Sequence, residues 1–109
     1  MVEKTKILLV CSAGMSTSLL MTNMEEAAKE KGTEVEIQAM SSTAANKYLA
    51  KENVDILLLG PQVRFMKAKY EKKLANTDTV LDVIDMQDYG KVDGAKVLES
   101  ALQLKQESL

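Results

Sequence analysis

The chain has 109 residues, a net charge of −2, 46% hydrophobic and 4% aromatic residues, which describes one domain with a single core and too few cations and rings for a nucleic-acid surface. It contains no histidine, which removes the commonest general base and metal ligand, and one cysteine, which excludes an internal disulfide and fits a reducing compartment. No apolar run approaches the ~20 residues of a membrane span, and the run after Met1-Val2-Glu3-Lys4-Thr5-Lys6 is far too short for a signal peptide, so a cytoplasmic protein forming one domain over residues 1–109 is expected.

Lys4 to Val10 reads as a strand whose centre, Ile7-Leu8-Leu9-Val10, is apolar on both faces, as in the interior of a parallel sheet. Ser16, Thr17 or Ser18 is positioned to cap a helix that runs to about Lys31, with Leu20, Met24, Ala27 and Ala28 on one face and Gly32 ending it. Met21 falls outside that stripe. Glu34 to Ala39 alternates polar and apolar and is placed at a sheet edge. Ser41-Ser42-Thr43 offers caps for a second helix to about Glu52. Asp55 to Leu59 is a second central strand, ended by Gly60-Pro61. A third helix follows, with Val63, Met66, Tyr70 and Leu74 on one face. Val80 to Ile84 is a fourth strand, Asp88-Tyr89-Gly90 a turn, and Val92 to about Gln106 a last helix with Ala95, Leu98, Ala101, Leu102 and Lys105 along its apolar side.

Alternating strands and helices at this spacing imply βα units with right-handed crossovers. The expectation is a single three-layer α/β domain: a four-stranded parallel sheet in the order 2-1-3-4 with helices on both faces, related to the flavodoxin-like and low-molecular-weight phosphatase-like patterns. Ligands of such sheets sit beyond the carboxyl ends of the strands at the switch point, between the first and third strands. Cys11 and Gly60-Pro61-Gln62 both fall there, and Tyr89-Gly90-Lys91 edges the same rim.

Cys11 stands where the first strand gives way to Ser12-Ala13-Gly14-Met15-Ser16-Thr17-Ser18. A lone cysteine at a strand end is by default a small buried apolar residue. A core cysteine, however, does not need a following loop with Ala13, Gly14 and the four hydroxyl residues Ser12, Ser16, Thr17 and Ser18. Such a loop leaves backbone N–H groups free to converge, and the helix adds the positive end of its dipole, an address suited to a thiolate that handles phosphate. No Walker motif or dinucleotide fingerprint is present. In low-molecular-weight tyrosine phosphatases the cysteine is followed by five residues, an arginine and then Ser or Thr. Here Thr17 takes the arginine position and Ser18 the hydroxyl position. Without the guanidinium fork, rapid hydrolysis is poorly supported, and a cradle that accepts a phosphoryl group and hands it on is the better reading.

The segment Cys11 to Leu20, with Leu59-Gly60-Pro61-Gln62 and Tyr89-Gly90-Lys91-Val92-Asp93-Gly94, resembles the enzyme IIB component of the bacterial sugar phosphotransferase system, lactose/cellobiose/chitobiose family. The resemblance spans essentially the whole chain. It implies a phosphotransferase subunit in which Cys11 takes phosphate from a phosphohistidine of the IIA component and delivers it to a sugar bound in the membrane component IIC, a β-linked disaccharide such as cellobiose, lactose or chitobiose. On that footing Ser12, Ala13, Gly14, Met15, Ser16, Thr17 and Ser18 form the phosphate-binding loop, Gly60, Pro61, Gln62 and Tyr89 a secondary rim, and neither metal nor cofactor is required. The chain would be cytoplasmic, transiently at the inner face of the membrane through IIC, and monomeric, since a shuttle between two partners gains nothing from self-association.

Several residues keep two readings. Met15 either contributes an apolar docking surface or tucks under the loop. Gly60-Pro61-Gln62 either lines the site or ends a strand. Arg64, the only arginine, is a surface charge or an attractor for a phosphorylated partner. Tyr89 hydrogen-bonds across the site or closes a turn, Lys91 and Asp93 touch ligand or cap the last helix, and Asp88 is the general acid a phosphatase would need or, with the arginine missing, a turn residue. The charged stretches Glu25-Glu26, Lys67 to Lys73 and Glu99 to Glu107 read as solvated helix faces.

Overall fold

The computed structural model describes residues 4–11 and 15–108, the side chains of Met15 and Ser16 excepted. The chain runs β1 (Thr5–Val10), α1 (Met15–Lys31), β2 (Val35–Met40), α2 (Ser42–Lys51), β3 (Ile56–Leu59), a 3₁₀ segment (Pro61–Met66), α3 (Lys67–Lys73), β4 (Val80–Val83), α4 (Met86–Gly90) and α5 (Gly94–Glu107). The sheet is four-stranded and parallel in the order β2-β1-β3-β4, as expected from the sequence.

The two central strands are apolar on both faces because each face meets its own helical layer. Ile7 and Leu9 of β1 and Ile56 and Leu58 of β3 pack beneath α1 and α5, against Leu20, Met24, Val97 and Leu98. Leu8, Val10, Leu57 and Leu59 point to the opposite layer, against Ala45 of α2 and Tyr70 of α3. Each such fully buried leucine contributes roughly 1.5–3 kcal/mol. The register carries the ladder past the strand ends: Cys11 N–H donates to Met40 O at 3.2 Å, Gly60 N–H to Val10 O at 2.8 Å and Ile84 N–H to Leu59 O at 2.8 Å. These bonds set Cys11, Gly60 and Ile84 side by side on the carboxyl rim.

The structure corrects several boundaries. Helix α1 already includes Met15, so Thr17 and Ser18 lie in its first turn instead of capping it, as does the backbone of Ser16. Met21 is half-buried and packs on the α1/α5 core, so the apolar stripe is wider than expected. The expected third helix is broken: Pro61 starts a 3₁₀ segment in which Val63 has φ −116° and ψ 22°, and the α-helix proper begins at Lys67. Pro61 has no N–H to give, and Val63 donates instead to Gly60 O at 3.0 Å, a three-residue closure that favours 3₁₀ geometry. Val63, Tyr70 and Leu74 are nevertheless buried.

Asp88-Tyr89-Gly90 is not a turn but part of α4, because the Asp85 carboxylate accepts from Gln87 N–H at 2.8 Å and Asp88 N–H at 3.2 Å, capping the helix. Helix α5 starts at Gly94, not Val92. Val92 has φ 47°, a left-handed conformation that cannot continue a helix, and Asp93 supplies the cap by accepting from Lys96 N–H at 3.1 Å. That offset moves the apolar stripe of α5: Val97 is buried and Ala95 exposed. Lys105 reaches out to donate to Asp78 O. Ser41 caps α2 by accepting from Ala44 N–H at 3.3 Å.

Candidate active site at the carboxyl rim

Cys11 follows directly after β1 with 9% of its surface exposed. The first turn of α1 rises beside it, bringing in Thr17, whose hydroxyl donates to Cys11 Sγ at 3.1 Å. Thr17 is 2% exposed. Its position is therefore an interior one, and it presents a buried neutral donor to the sulfur. No acidic side chain lies in the first turn of α1, so nothing in that turn cancels the partial positive charge of its amino end.

The other side of the same hydroxyl meets α4. Tyr89 OH stands 3.1 Å from Thr17 Oγ1, closing a line of three side chains from β1, α1 and α4. Of the two readings of Tyr89, hydrogen bonding across the site is the one observed, and the residue is buried at 9% exposure. Ser12, Ala13 and Gly14, the expected centre of the phosphate-binding loop, lie outside the described residues, as do the side chains of Met15 and Ser16.

Gly60 reaches the site from β3. A Cβ placed on it would lie 3.4 Å from Cys11 Cβ, an ordinary contact, and 3.2 Å from Gln62 Oε1, so the turn after β3 runs beside the cysteine with the Gln62 side chain folded back towards it. Pro61 is buried and Gln62 exposed. Pro61, Gln62, Arg64, Met86, Tyr89 and Gly90 line an open groove of about 350 Å³. Arg64 is on that groove, exposed, with Nη1 donating to Pro61 O at 3.4 Å. Lys91 is exposed after α4, Asp93 is spent on the α5 cap, and Asp88 is buried, 3.7 Å from Lys96 Nζ. Among the described residues no group of three or more cysteine, aspartate or glutamate side chains gathers to hold a metal ion, and no helix is long and apolar enough to cross a membrane.

Sequence reasoning passed over Asn23. Its Nδ2 donates to Val92 O at 2.8 Å and ties α1 to the segment joining α4 and α5. The available signal was its residue type, since asparagine is a poor helix former yet sits inside a 17-residue helix. The pairing of Thr17 with Tyr89 was equally hidden, because the two are 72 positions apart.

The model of the family described as "PTS system, Lactose/Cellobiose specific IIB subunit" matches residues 6–100. The galactose-specific EIIB component of Lactococcus lactis subsp. cremoris (strain MG1363) is 48% identical over 101 residues, covering 90% of this chain and 94% of the relative. The oligo-beta-mannoside-specific EIIB component of Bacillus subtilis (strain 168) is 46% identical over 99 residues, covering 91% and 94%. The cellobiose-specific EIIB component of Lactococcus lactis subsp. lactis (strain IL1403) is 48% identical over 101 residues, covering 90% and 94%. Among solved structures, the cellobiose-specific IIB component from Borrelia burgdorferi superposes with a TM-score of 0.76 at 35% identity, covering 97% of this chain and 95% of that one. The lactose-specific IIB domain from Streptococcus pneumoniae superposes with a TM-score of 0.81 over 94% and 98%, and at 17% identity attests the fold alone. A parallel 2-1-3-4 sheet with its single cysteine on the carboxyl rim, a family match over residues 6–100 and relatives at 46–48% identity together place this chain in the lactose/cellobiose-specific IIB family of the sugar phosphotransferase system, whose members are phosphotransferases of sugar transport.

Proposed function

We propose that this chain, as one domain over residues 1–109, is a phosphoryl carrier in which Cys11 accepts phosphate from a phosphohistidine of a IIA component and passes it to a sugar bound in a membrane IIC component, a protein-phosphocysteine–sugar phosphotransferase. The observation that carries this reading is the buried Thr17 hydroxyl donating to Cys11 Sγ at 3.1 Å, at the amino end of a helix. In the first step the Cys11 thiolate attacks phosphorus in line with the imidazole nitrogen. The S–P bond forms, the N–P bond breaks, and the nitrogen keeps the electron pair. In the second step a sugar hydroxyl oxygen attacks, the S–P bond breaks with its electron pair returning to sulfur, and the hydroxyl proton passes to a base on IIC.

Both steps pass through loose transition states with charge on three equatorial oxygens. Backbone N–H groups of Ser12 to Ser18 and the α1 dipole are the groups proposed to take up that charge, each charge-assisted bond contributing about 1.5–3 kcal/mol. Gly60, Pro61, Gln62 and Tyr89 form the rim around the transferred group. The relatives are named for galactose, oligo-beta-mannoside and cellobiose, and a β-linked disaccharide is the proposed cargo here. The chain acts as a cytoplasmic monomer that visits the inner membrane face through IIC.

The test is the intact mass of wild type and Cys11→Ser after incubation with phosphoenolpyruvate, the general phosphotransferase proteins and a cognate IIA. One phosphoryl adduct on wild type and none on Cys11→Ser is the expected result. A wild type that takes no adduct and instead turns over an aryl phosphate rapidly overturns the relay.

A further inference from the structure

A threonine hydroxyl has one hydrogen and two acceptor lone pairs. At Thr17 the hydrogen is directed to Cys11 Sγ at 3.1 Å, so the 3.1 Å contact with Tyr89 is left for the hydrogen of the phenol. We propose that Tyr89 is a positioning residue for the Cys11 nucleophile: its hydroxyl donates to Thr17 Oγ1 and thereby commits the threonine hydrogen to the cysteine sulfur. A hydroxyl hydrogen rotates to suit its partners, and a phenol hydrogen behind Thr17 Oγ1 favours the rotamer aimed at the sulfur. With Tyr89 in place, the two bonds run in one direction and polarise each other.

Tyr89 is itself firmly placed. Its N–H donates to Asp85 O at 2.9 Å and its carbonyl accepts from Val92 N–H at 3.1 Å. Its ring packs in the α1/α5 core. Asn23 of α1 holds the Val92 carbonyl, so the helix that carries Thr17 also anchors the segment that carries Tyr89. An aligned donor matters most when charge sits on sulfur, which happens when the thiolate attacks and again when it leaves. The role rests on the reading of Cys11 as the nucleophile described above.

The experiment is alkylation of Cys11 by iodoacetamide, followed by intact mass from weakly acidic to weakly alkaline pH, with thermal unfolding as the check on folding. The chain has one cysteine, so one adduct reports one site. Tyr89→Phe is expected to slow alkylation at neutral pH by roughly three- to tenfold and to displace the pH–rate profile toward alkaline pH. A change in access alone would scale the rate equally at every pH. Tyr89→Phe adds no displacement in a Thr17→Val background. A Tyr89→Phe profile that superimposes on wild type overturns the proposal, as does a full Tyr89→Phe effect that persists with Thr17→Val. If Thr17→Val does not fold, the profile of Tyr89→Phe alone decides. Alkylation needs no phosphoryl donor, so a displaced profile in a chain that takes no phosphate keeps the role of Tyr89 and removes the carrier function. Phosphorylation with an unmoved profile does the reverse.

Discussion

Gly94 and Asn23 are in backbone contact: a Cβ on Gly94 would collide with the Asn23 carbonyl carbon and with Met24 N. Helix α5 therefore starts directly against the backbone of α1, and only a residue without a side chain fits. Gly94→Ala must push the two helices apart, and overpacking of this kind costs about 1–3 kcal/mol or more. Gly90, where a Cβ meets nothing within 4 Å, is the control. Urea unfolding should show a clear drop in midpoint for Gly94→Ala and none for Gly90→Ala. Equal midpoints for the two variants would contradict the close crossing.

Asn23 gives the same junction its polar tie. Asn23→Ala removes the 2.8 Å bond to Val92 O and is expected to cost about 0.5–1.5 kcal/mol. The carbonyl keeps its bond from Gly94 N–H at 2.9 Å, so the loss stays at that scale. Asn23→Asp replaces the donor by a second acceptor facing a carbonyl and should cost more than the alanine. Chemical denaturation of the three proteins at neutral pH checks the order, and a stability for Asn23→Asp equal to wild type would mean that the bond does not hold Val92.

Tyr70 sets an alkaline limit on stability. It is fully buried, with its hydroxyl 3.5 Å from Ser42 O, and burial raises its pKa above the usual phenol value by penalising the phenolate. Above about pH 10 the unfolded chain loses this proton while the folded chain retains it. The unfolded state then binds fewer protons, and stability falls as pH rises. The contribution is complete below the unfolded value and is lost as pH passes through the raised one. Tyr70→Phe should flatten this alkaline decline relative to wild type, with the difference vanishing near neutral pH apart from a constant offset. Parallel stability curves above pH 10 would show that Tyr70 does not ionise on unfolding in that range.

The sequence alone determined the layers and their order. Ile7 to Val10 and Ile56 to Leu59 are apolar on both faces and Val35 to Met40 is not, and that difference in patterning puts β1 and β3 inside a parallel sheet and β2 at its edge. It also determined that Cys11 lies at the carboxyl end of β1 on the rim of the sheet, because the apolar run stops there. Only the tertiary structure decided where helices begin and what the polar side chains do. Local signals could not show that Pro61 and Val63 close a 3₁₀ segment, that Asp85 turns Asp88-Tyr89-Gly90 into a helix, or that Val92 adopts φ 47° and delays α5 to Gly94. Nor could they show that Thr17, read as a possible cap, is buried between Cys11 and Tyr89. The reason is physical: apolar periodicity reports the average environment of a face, whereas a hydrogen bond between residues 72 apart depends on distances that exist only after β1, α1 and α4 have packed.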